Sequence, residues 1–326
     1  MHRLLFLLLA LLALPATALA EPRLDGEFPV DSKPAQLTLG PDGNVWFVTD
    51  SDEIGRITPD GTVSDDFPHG MSGAARDITA GGGRLWLSQD DSVIAIDPAD
   101  PENPEIHSIN EIGTARGVAR EADGDLWVVD DFEGTVVEVS ADGQFKRELP
   151  GKEVKGVKPS GRDIVVGGDG KLYWADFNGP SIQVTDPVAG TTKALELTGG
   201  NPQELAVGPD GQVWFSSPNS IVGRIAPDGT VDETTNTNRD GFGAVFANDD
   251  AYWFAELTTG TLGRLTPGGE LTHPIDLGAT SKPRHITKGA GDTLWVSLEE
   301  MGKERIARIT GVSAPEPLPE DPGPVA

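Results

Sequence analysis

The sequence predicts an all-β fold, a seven-bladed β-propeller of four-stranded antiparallel blades, and three observations carry that reading. A turn-Gly-x-aliphatic-aromatic segment recurs, in looser form in the last two copies, with its aromatic anchor at Trp46, Trp86, Trp127, Tyr173, Trp214, Trp253 and Trp295. Consecutive anchors lie 40, 41, 46, 41, 39 and 42 residues apart, the period of a propeller blade and too long for leucine-rich or tetratricopeptide units. Beyond residue 20 no stretch shows a 3.6-residue apolar period, so helices are expected to be nearly absent.

The elements follow in chain order. Arg3, an apolar run over residues 4–14 and the small-x-small string Ala18-Leu19-Ala20 predict a cleaved secretory signal over residues 1–20, hence a secreted, periplasmic or extracellular protein. That run is shorter than the roughly 20 residues needed to cross a bilayer, so no stable membrane insertion is expected after cleavage. Residues 24–30 contain Gly26-Glu27-Phe28-Pro29, which matches the fourth-strand string Ser64-Asp65-Asp66-Phe67-Pro68. Each repeat then runs through an apolar first strand, a Pro-Asp-Gly-like turn, the anchor strand, a third strand such as Ile54-Gly55-Arg56-Ile57, and a second turn before its fourth strand. Residues 221–225, 262–265 and 306–309 repeat that third strand almost letter for letter. After residue 311 the chain becomes Pro-rich and cannot supply a fourth strand to the last blade, because proline removes ladder donors. The missing strand is therefore assigned to the N-terminal segment. The organisation is a propeller over residues 21–311 and a disordered tail over residues 312–326.

Composition narrows the partners. Asp and Glu number 52 against 25 Lys and Arg, a formal charge of −27 that opposes nucleic acid and anionic membrane surfaces. There is no cysteine, which excludes disulfides, thiolate metal sites and a Cys nucleophile. A monomer is expected, stabilised by packing alone.

Chemistry is expected at one mouth of the axis. First and second strands of a blade run antiparallel, so residues equally far from their turn meet at the face away from it. This places Arg116 near Asp130 and Arg162 near Asp176, while Arg76 faces Gln89 and Asp90, and Arg284 faces Leu298 and Glu299. The first, fifth and sixth repeats bring Asp50, Gln203 with Glu204, and Glu256 to the same mouth. Two readings stay open on the residues alone: charge pairs or solvated strand ends, or a polar funnel. In the second, Arg76, Arg116, Arg162, Arg284, Asp130, Asp176 and Glu256 bind a small-molecule or peptide ligand. Asp130, Asp131, Glu256 and Glu299 offer the oxygen that a hard cation takes. His285 alone among the histidines lies on a first strand beside a candidate acid, which makes it the candidate base. His107 and His273 fall on outer strands as surface residues, and His69 falls in a solvated connection.

The string Pro41-Asp42-Gly43-Asn44-Val45-Trp46-Phe47, followed by Ile54-Gly55-Arg56-Ile57-Thr58-Pro59-Asp60-Gly61-Thr62-Val63, resembles the repeat of the streptogramin B lyase (virginiamycin B lyase) family, over residues 24–310. The resemblance implies a seven-bladed propeller that linearises a cyclic depsipeptide antibiotic by Mg²⁺-assisted elimination at its ester bond. In the family the last repeat's first strand carries Glu-Pro-His, supplying a metal ligand and the base, and a second metal-binding Glu lies four residues after the Trp. Here Lys282-Pro283-Arg284 stands in the first place and Glu299 stands four residues after Trp295. The resemblance thus implies Glu299 as catalytic group and Mg²⁺ ligand, and His285 as base where a bulge re-aims it. Gly241-Phe242 stands where the family has a further Pro-His. Gluconolactonase-like and NHL-repeat proteins share this kind of repeat, so the alternatives are a non-catalytic ligand- or protein-binding propeller and a lactonase-like hydrolase.

Overall fold

Pairing of each anchor strand with its neighbours dictates the blade. The computed structural model describes residues 21–121, 124–217, 219–236, 243–246, 250–266 and 268–312, and contains no helix among them. The expected signal, residues 313–326 of the expected tail, and Gly241 and Phe242 lie outside the described residues. Strands β1 to β28, numbered in chain order, form seven four-stranded antiparallel sheets. The first strands of the blades are β2 (Pro34–Leu39), β6 (Asp77–Gly81), β10 (Ala115–Arg120), β14 (Gly161–Val166), β18 (Leu205–Val207), β22 (Ala244–Phe246) and β26 (Lys282–Lys288). Each touches the first strand of the next blade, and β26 returns to β2, closing a ring around one axis.

The N-terminal strand completes the seventh blade. β1 (Arg23–Pro29) pairs with β28 (Arg305–Thr310), from Arg23 opposite Thr310 to Pro29 opposite Arg305. The sheet runs β1-β28-β27-β26, with β27 spanning Thr293–Glu299. Val312, just past β28, is buried in the cluster shared by the sixth and seventh blades.

The core is divided among the interfaces between blades. Each of seven apolar clusters joins two consecutive blades, including the closing pair, where Trp295 and Ile306 meet Leu37 and Phe47. Every anchor faces the following blade. Tyr173 sits with Leu205 and Phe215 of the fifth blade, whereas adjacent Trp174 sits with Val129 and Val136 of the third, because successive strand residues point to opposite faces. Burying one aromatic of about 150–250 Å² contributes roughly 4–6 kcal/mol of transfer free energy. The 46-residue spacing before Tyr173 reflects an extra excursion between β13 (Phe145–Pro150) and β14, where Val154 and Val157 form an isolated bridge.

The Gly-Arg-aliphatic third strand has a cross-strand explanation. Gly55, Gly223 and Gly263 lie opposite Phe47, Phe215 and Phe254, and the following arginines lie opposite the anchor tryptophans. An added Cβ at these glycines would come within 2.0, 2.2 and 2.2 Å of the Phe ring tips, so the rings occupy the space a side chain would need. Arg56, Arg224 and Arg264 hold their guanidinium carbons 5.4, 5.6 and 5.9 Å from the tryptophan ring centroids. In the seventh blade Val296 replaces the Phe and Ala307 replaces the Gly opposite it. Gly263→Ala is expected to cost about 1–3 kcal/mol through overpacking. Adding Phe254→Val should recover a large part of that loss, so a double-mutant cycle by urea denaturation should give a favourable coupling. Additive losses would contradict this packing rule.

Candidate functional site

The site is set by a β-bulge near the start of the first strands. Register shifts fall between Pro34 and Leu37, Ala115 and Val118, Gly161 and Ile164, and Pro283 and Ile286. Two residues enter each bulge, including Arg116-Gly117, Arg162-Asp163 and Arg284-His285. The shift in the seventh blade is the irregularity that the sequence required before His285 could be re-aimed.

One layer of these residues converges deep in the axis. Gln36, Asp77, Asp163, Glu204 and His285 come from the first, second, fourth, fifth and seventh blades, with Gly117 and Gly243 at the matching positions of the other two. His285 Nε2 approaches Glu204 Oε2 to 3.8 Å, and these side chains keep 18% and 19% of their surface. Contact between the seventh and fifth blades requires reaching across the ring. Several members also fasten adjacent blades: Val118 N–H donates to Asp77 Oδ2 (2.9 Å), Leu205 N–H to Asp163 Oδ2 (2.6 Å) and Leu37 N–H to His285 Nδ1 (3.1 Å). The glycines leave room for close approach. A Cβ on Gly117 would lie 2.9 Å from Arg162 O, and one on Gly243 would lie 2.4 Å from Arg284 O.

This crowding controls protonation. Burial pushes the Asp77 carboxyl up to about 6, and burial together with Asp77 pushes Asp163 up to about 8. Glu204 is raised well above the carboxylate range by burial and by those two acids, against a hydrogen bond from Gln36. Burial lowers His285 to about 4. Its Nδ1 accepts the Leu37 N–H, which assigns the ring proton to Nε2 and occupies the lone pair that a general base would use.

Toward the mouth lies a second layer, Arg76, Arg116, Arg162, Gln203 and Arg284. Arg116 Nε pairs with Asp131 at 3.1 Å and not with Asp130. Arg162 Nη1 donates to Gln203 Oε1, and its guanidinium carbon lies 4.4 Å from the Phe177 ring centroid. Burial and neighbouring Arg116 lower its pKa. Neither the Arg76 nor the Arg162 side chain forms an ion pair within 4.0 Å among the described residues, although Glu204 and Asp131 act on Arg162 from farther off, opposing that lowering.

The acids expected beside these arginines are used elsewhere. The register puts Ala115 opposite Asp130 and Gly161 opposite Asp176, and both carboxylates are buried. Asp130 accepts the backbone N–H groups of Gly113, Thr114, Phe132 and Glu133 at 2.8 to 3.2 Å. Asp176 accepts those of Ser160, Asn178 and Gly179 at 3.0 to 3.1 Å and the Ser181 hydroxyl at 2.8 Å. Glu256, also buried, accepts the Thr261 hydroxyl and lies 3.0 Å from His273 Nδ1. All three pin a hairpin or its neighbouring strands. His69, expected in solvent, is fully buried, and its backbone N–H donates to Asp52 O at 3.4 Å; burial lowers its pKa.

Glu299 belongs to the mouth. Its Oε2 accepts from Arg284 at 2.8 Å and from Lys33 at 3.1 Å. Burial pushes its pKa upward, but these two cations outweigh it and hold the carboxyl below its ordinary value. As a donor set for Mg²⁺ the mouth does not fit. The metal prefers carboxylate oxygen and water, whereas Glu299 Oε2 already carries two cations that would repel it, and Lys282 stands close by in sequence on β26. No cluster of three or more His, Asp or Glu suited to a metal occurs among the described residues.

Sequence reasoning located the mouth but did not single out Gln36, Asp77 and Asp163. The available signal was the pairing Arg76-Asp77, Arg162-Asp163, Gln203-Glu204 and Arg284-His285 at one repeat position.

The Virginiamycin B lyase family model matches residues 148–320. No curated protein matches the chain. Among solved structures, a streptogramin B lyase is 20% identical, with a TM-score of 0.77 over 89% of this chain and 98% of its own. A catalytically inactive histidine-to-alanine virginiamycin B lyase from Staphylococcus aureus with quinupristin is 19% identical, with a TM-score of 0.76 over 89% and 99% of the two chains. The extracellular domain of a hybrid two-component system from B. thetaiotaomicron is 13% identical, with a TM-score of 0.68 over 85% of this chain and 40% of that one. These three likenesses are of fold. No helix among the described residues is long and apolar enough to cross a membrane.

Proposed function

The chain belongs to the virginiamycin B lyase family, and we propose that it is an exported member that binds a small anionic or carbonyl-bearing ligand at its arginine-lined mouth, without metal-assisted elimination at Glu299. The observation that carries the reading is the pair Arg76 and Arg162, which form no close ion pair among the described residues of a protein of formal charge −27. A guanidinium supplies forked donors that match a carboxylate or a pair of carbonyl oxygens. Acids outnumber bases two to one over the whole chain, so a cationic mouth is a local exception that favours such a group there.

Two side chains argue against the elimination that the family resemblance implies. Glu299 is already neutralised by Arg284 and Lys33, and the His285 lone pair is held by Leu37. Among the described residues, Glu299 Oε2 and the His285 Nδ1 lone pair are thus both engaged before any metal or substrate arrives. Export is supported by the N-terminal string of residues 1–20 and by the extracellular domain among the fold relatives.

The test is incubation of the mature protein with a streptogramin B antibiotic, with Mg²⁺ and then with chelator, followed by mass spectrometry. The antibiotic is expected to remain cyclic. A linear isomer of unchanged mass that requires Mg²⁺ and is lost in Glu299→Ala would overturn the reading in favour of elimination, and a gain of one water would overturn it in favour of hydrolysis. In parallel, Arg116→Gln with Arg162→Gln should abolish binding of small carboxylates at an unchanged melting temperature. A sharp fall in that temperature would mark the arginines as structural.

A further inference from the structure

Buried acids hold two exposed aromatic rings at the same mouth. Phe132 is 69% exposed and Phe177 is 42% exposed, and both lie in the hairpin after the anchor strand, in the adjacent third and fourth blades. Exposed rings are ordinarily tolerated on loose loops, but these hairpins are fixed. Asp130 accepts the Phe132 N–H at 3.0 Å, and Phe132 rests against Gly113, where a Cβ would come within 3.1 Å of the ring. Phe177 N–H donates to Ser160 O at 2.7 Å, and Asn201 Nδ2 donates to Phe177 O at 2.6 Å. The backbone of Phe177 is thus tied on both sides, while Asp176 holds the next two residues.

Each ring is accompanied by a cation. Arg162 stacks on Phe177 at 4.4 Å, and Lys158 Nζ lies 5.8 Å from the Phe132 ring centroid. Lys158 is satisfied by Glu133 at 2.7 Å, whereas Arg162 spends one N–H on a neutral amide. A ring with an open face beside a guanidinium with spare donors matches a ligand that is flat and anionic together.

We infer that the rim of the third and fourth blades is a binding site for a planar aromatic carboxylate, with its ring stacked on Phe177 and flanked by Phe132, and its carboxylate on Arg162. The inference rests on the proposed ligand-binding mouth and names the chemistry it selects. Charge complementarity fixes the polarity of the ligand, and pre-tied hairpins keep the ordering cost of binding low.

The test titrates 2-naphthoate against the mature protein by calorimetry, with cyclohexanecarboxylate (charge without a π face) and 2-naphthylmethanol (ring without charge) alongside. Phe177→Ala and Arg162→Gln are each expected to weaken 2-naphthoate about tenfold, with both comparators several-fold weaker on the wild type. Phe145→Ala, which changes an exposed ring on outer strand β13, should leave binding unchanged. Phe177→Ala removes a ring that is 42% exposed and lies outside the apolar clusters, so it decides the matter even where Arg162→Gln folds poorly. Wild-type affinity in Phe177→Ala would overturn the inference. Equal binding of cyclohexanecarboxylate, lost in Arg162→Gln, would remove the aromatic site while leaving the arginine mouth standing. Failure of every carboxylate to bind at millimolar concentration would remove both.

Discussion

A chain lacking residues 21–30 is expected to lose cooperative melting and to aggregate. Those residues supply β1, the outer strand of the closing blade, so deletion strips β28 of its ladder from Thr310 to Arg305. It also removes Phe28, 5.5 Å from Trp295, and Val30, both part of the cluster that joins the last blade to the first. Ion pairs of Arg305 with Glu27 (2.8 Å) and of Arg308 with Asp25 (2.7 Å) disappear with it. Burial of Val30 and the partial burial of Phe28 contribute up to about 1.5–3 kcal/mol each, and several ladder bonds about 1 kcal/mol each. Their sum rivals the entire 5–15 kcal/mol stability of an ordinary domain. An exposed β28 edge is in addition a template for pairing with other chains. Differential scanning calorimetry and size-exclusion chromatography check this. A monomer with a wild-type transition would show that the N-terminal strand does not close the ring.

The fold was legible because its information repeats. An anchor aromatic every forty residues or so, a turn glycine ahead of it and a Gly-Arg-aliphatic strand after it each report one local interaction, and seven copies average out the irregular ones. Tyr173 and the Asp250 turn did not hide their blades, since Asp250 adopts the left-handed φ of 57° that glycine supplies elsewhere. Closure was legible for a related reason: a proline-rich end that cannot be a strand leaves one vacancy, and only one terminal segment matches it.

The site was legible only to the level of a mouth. Counting residues outward from the turn assumes a regular ladder, and a bulge breaks that assumption without changing the sequence of either strand. The one-residue shift puts Ala115, not Arg116, opposite Asp130, turns the acid into a hairpin clamp, and leaves Arg116 to Asp131. Convergence across the axis is less visible still, because Asp77, Asp163 and Glu204 lie some forty or more residues apart and meet only when the ring closes. His69 is buried through tertiary contacts, which no local pattern reports.

The axial acids carry the other large expected effect, on stability against pH. Asp77 and Asp163 have folded pKa values near 6 and 8, above the ordinary 3.8, so the folded state binds their protons more tightly than the unfolded state. Their contribution is fully present below about 4 and is lost as pH rises through 6 and then 8. His285 works in the opposite sense: with a folded value near 4 against 6.5, it penalises the fold at low pH and falls silent above 6.5. Between pH 4 and 6.5 the two effects oppose one another, and above 6.5 only the acids remain. Stability is therefore expected to decline from pH 6.5 to 8.5. Glu204→Gln should remove part of that decline, since the amide keeps an oxygen for Gln36 and takes away a carboxyl whose own ionisation is opposed by burial, Asp163 and Asp77. One pKa unit corresponds to about 1.4 kcal/mol. Because Glu204 keeps 19% of its side-chain surface, the gain at pH 8.5 is discounted to about 1–2 kcal/mol, with no difference at pH 5. Urea denaturation at pH 5, 6.5 and 8.5 measures both chains. Parallel profiles, or a variant less stable than the wild type at pH 8.5, would mean that the acids share no charge across the axis, because water or a bound cation already screens them.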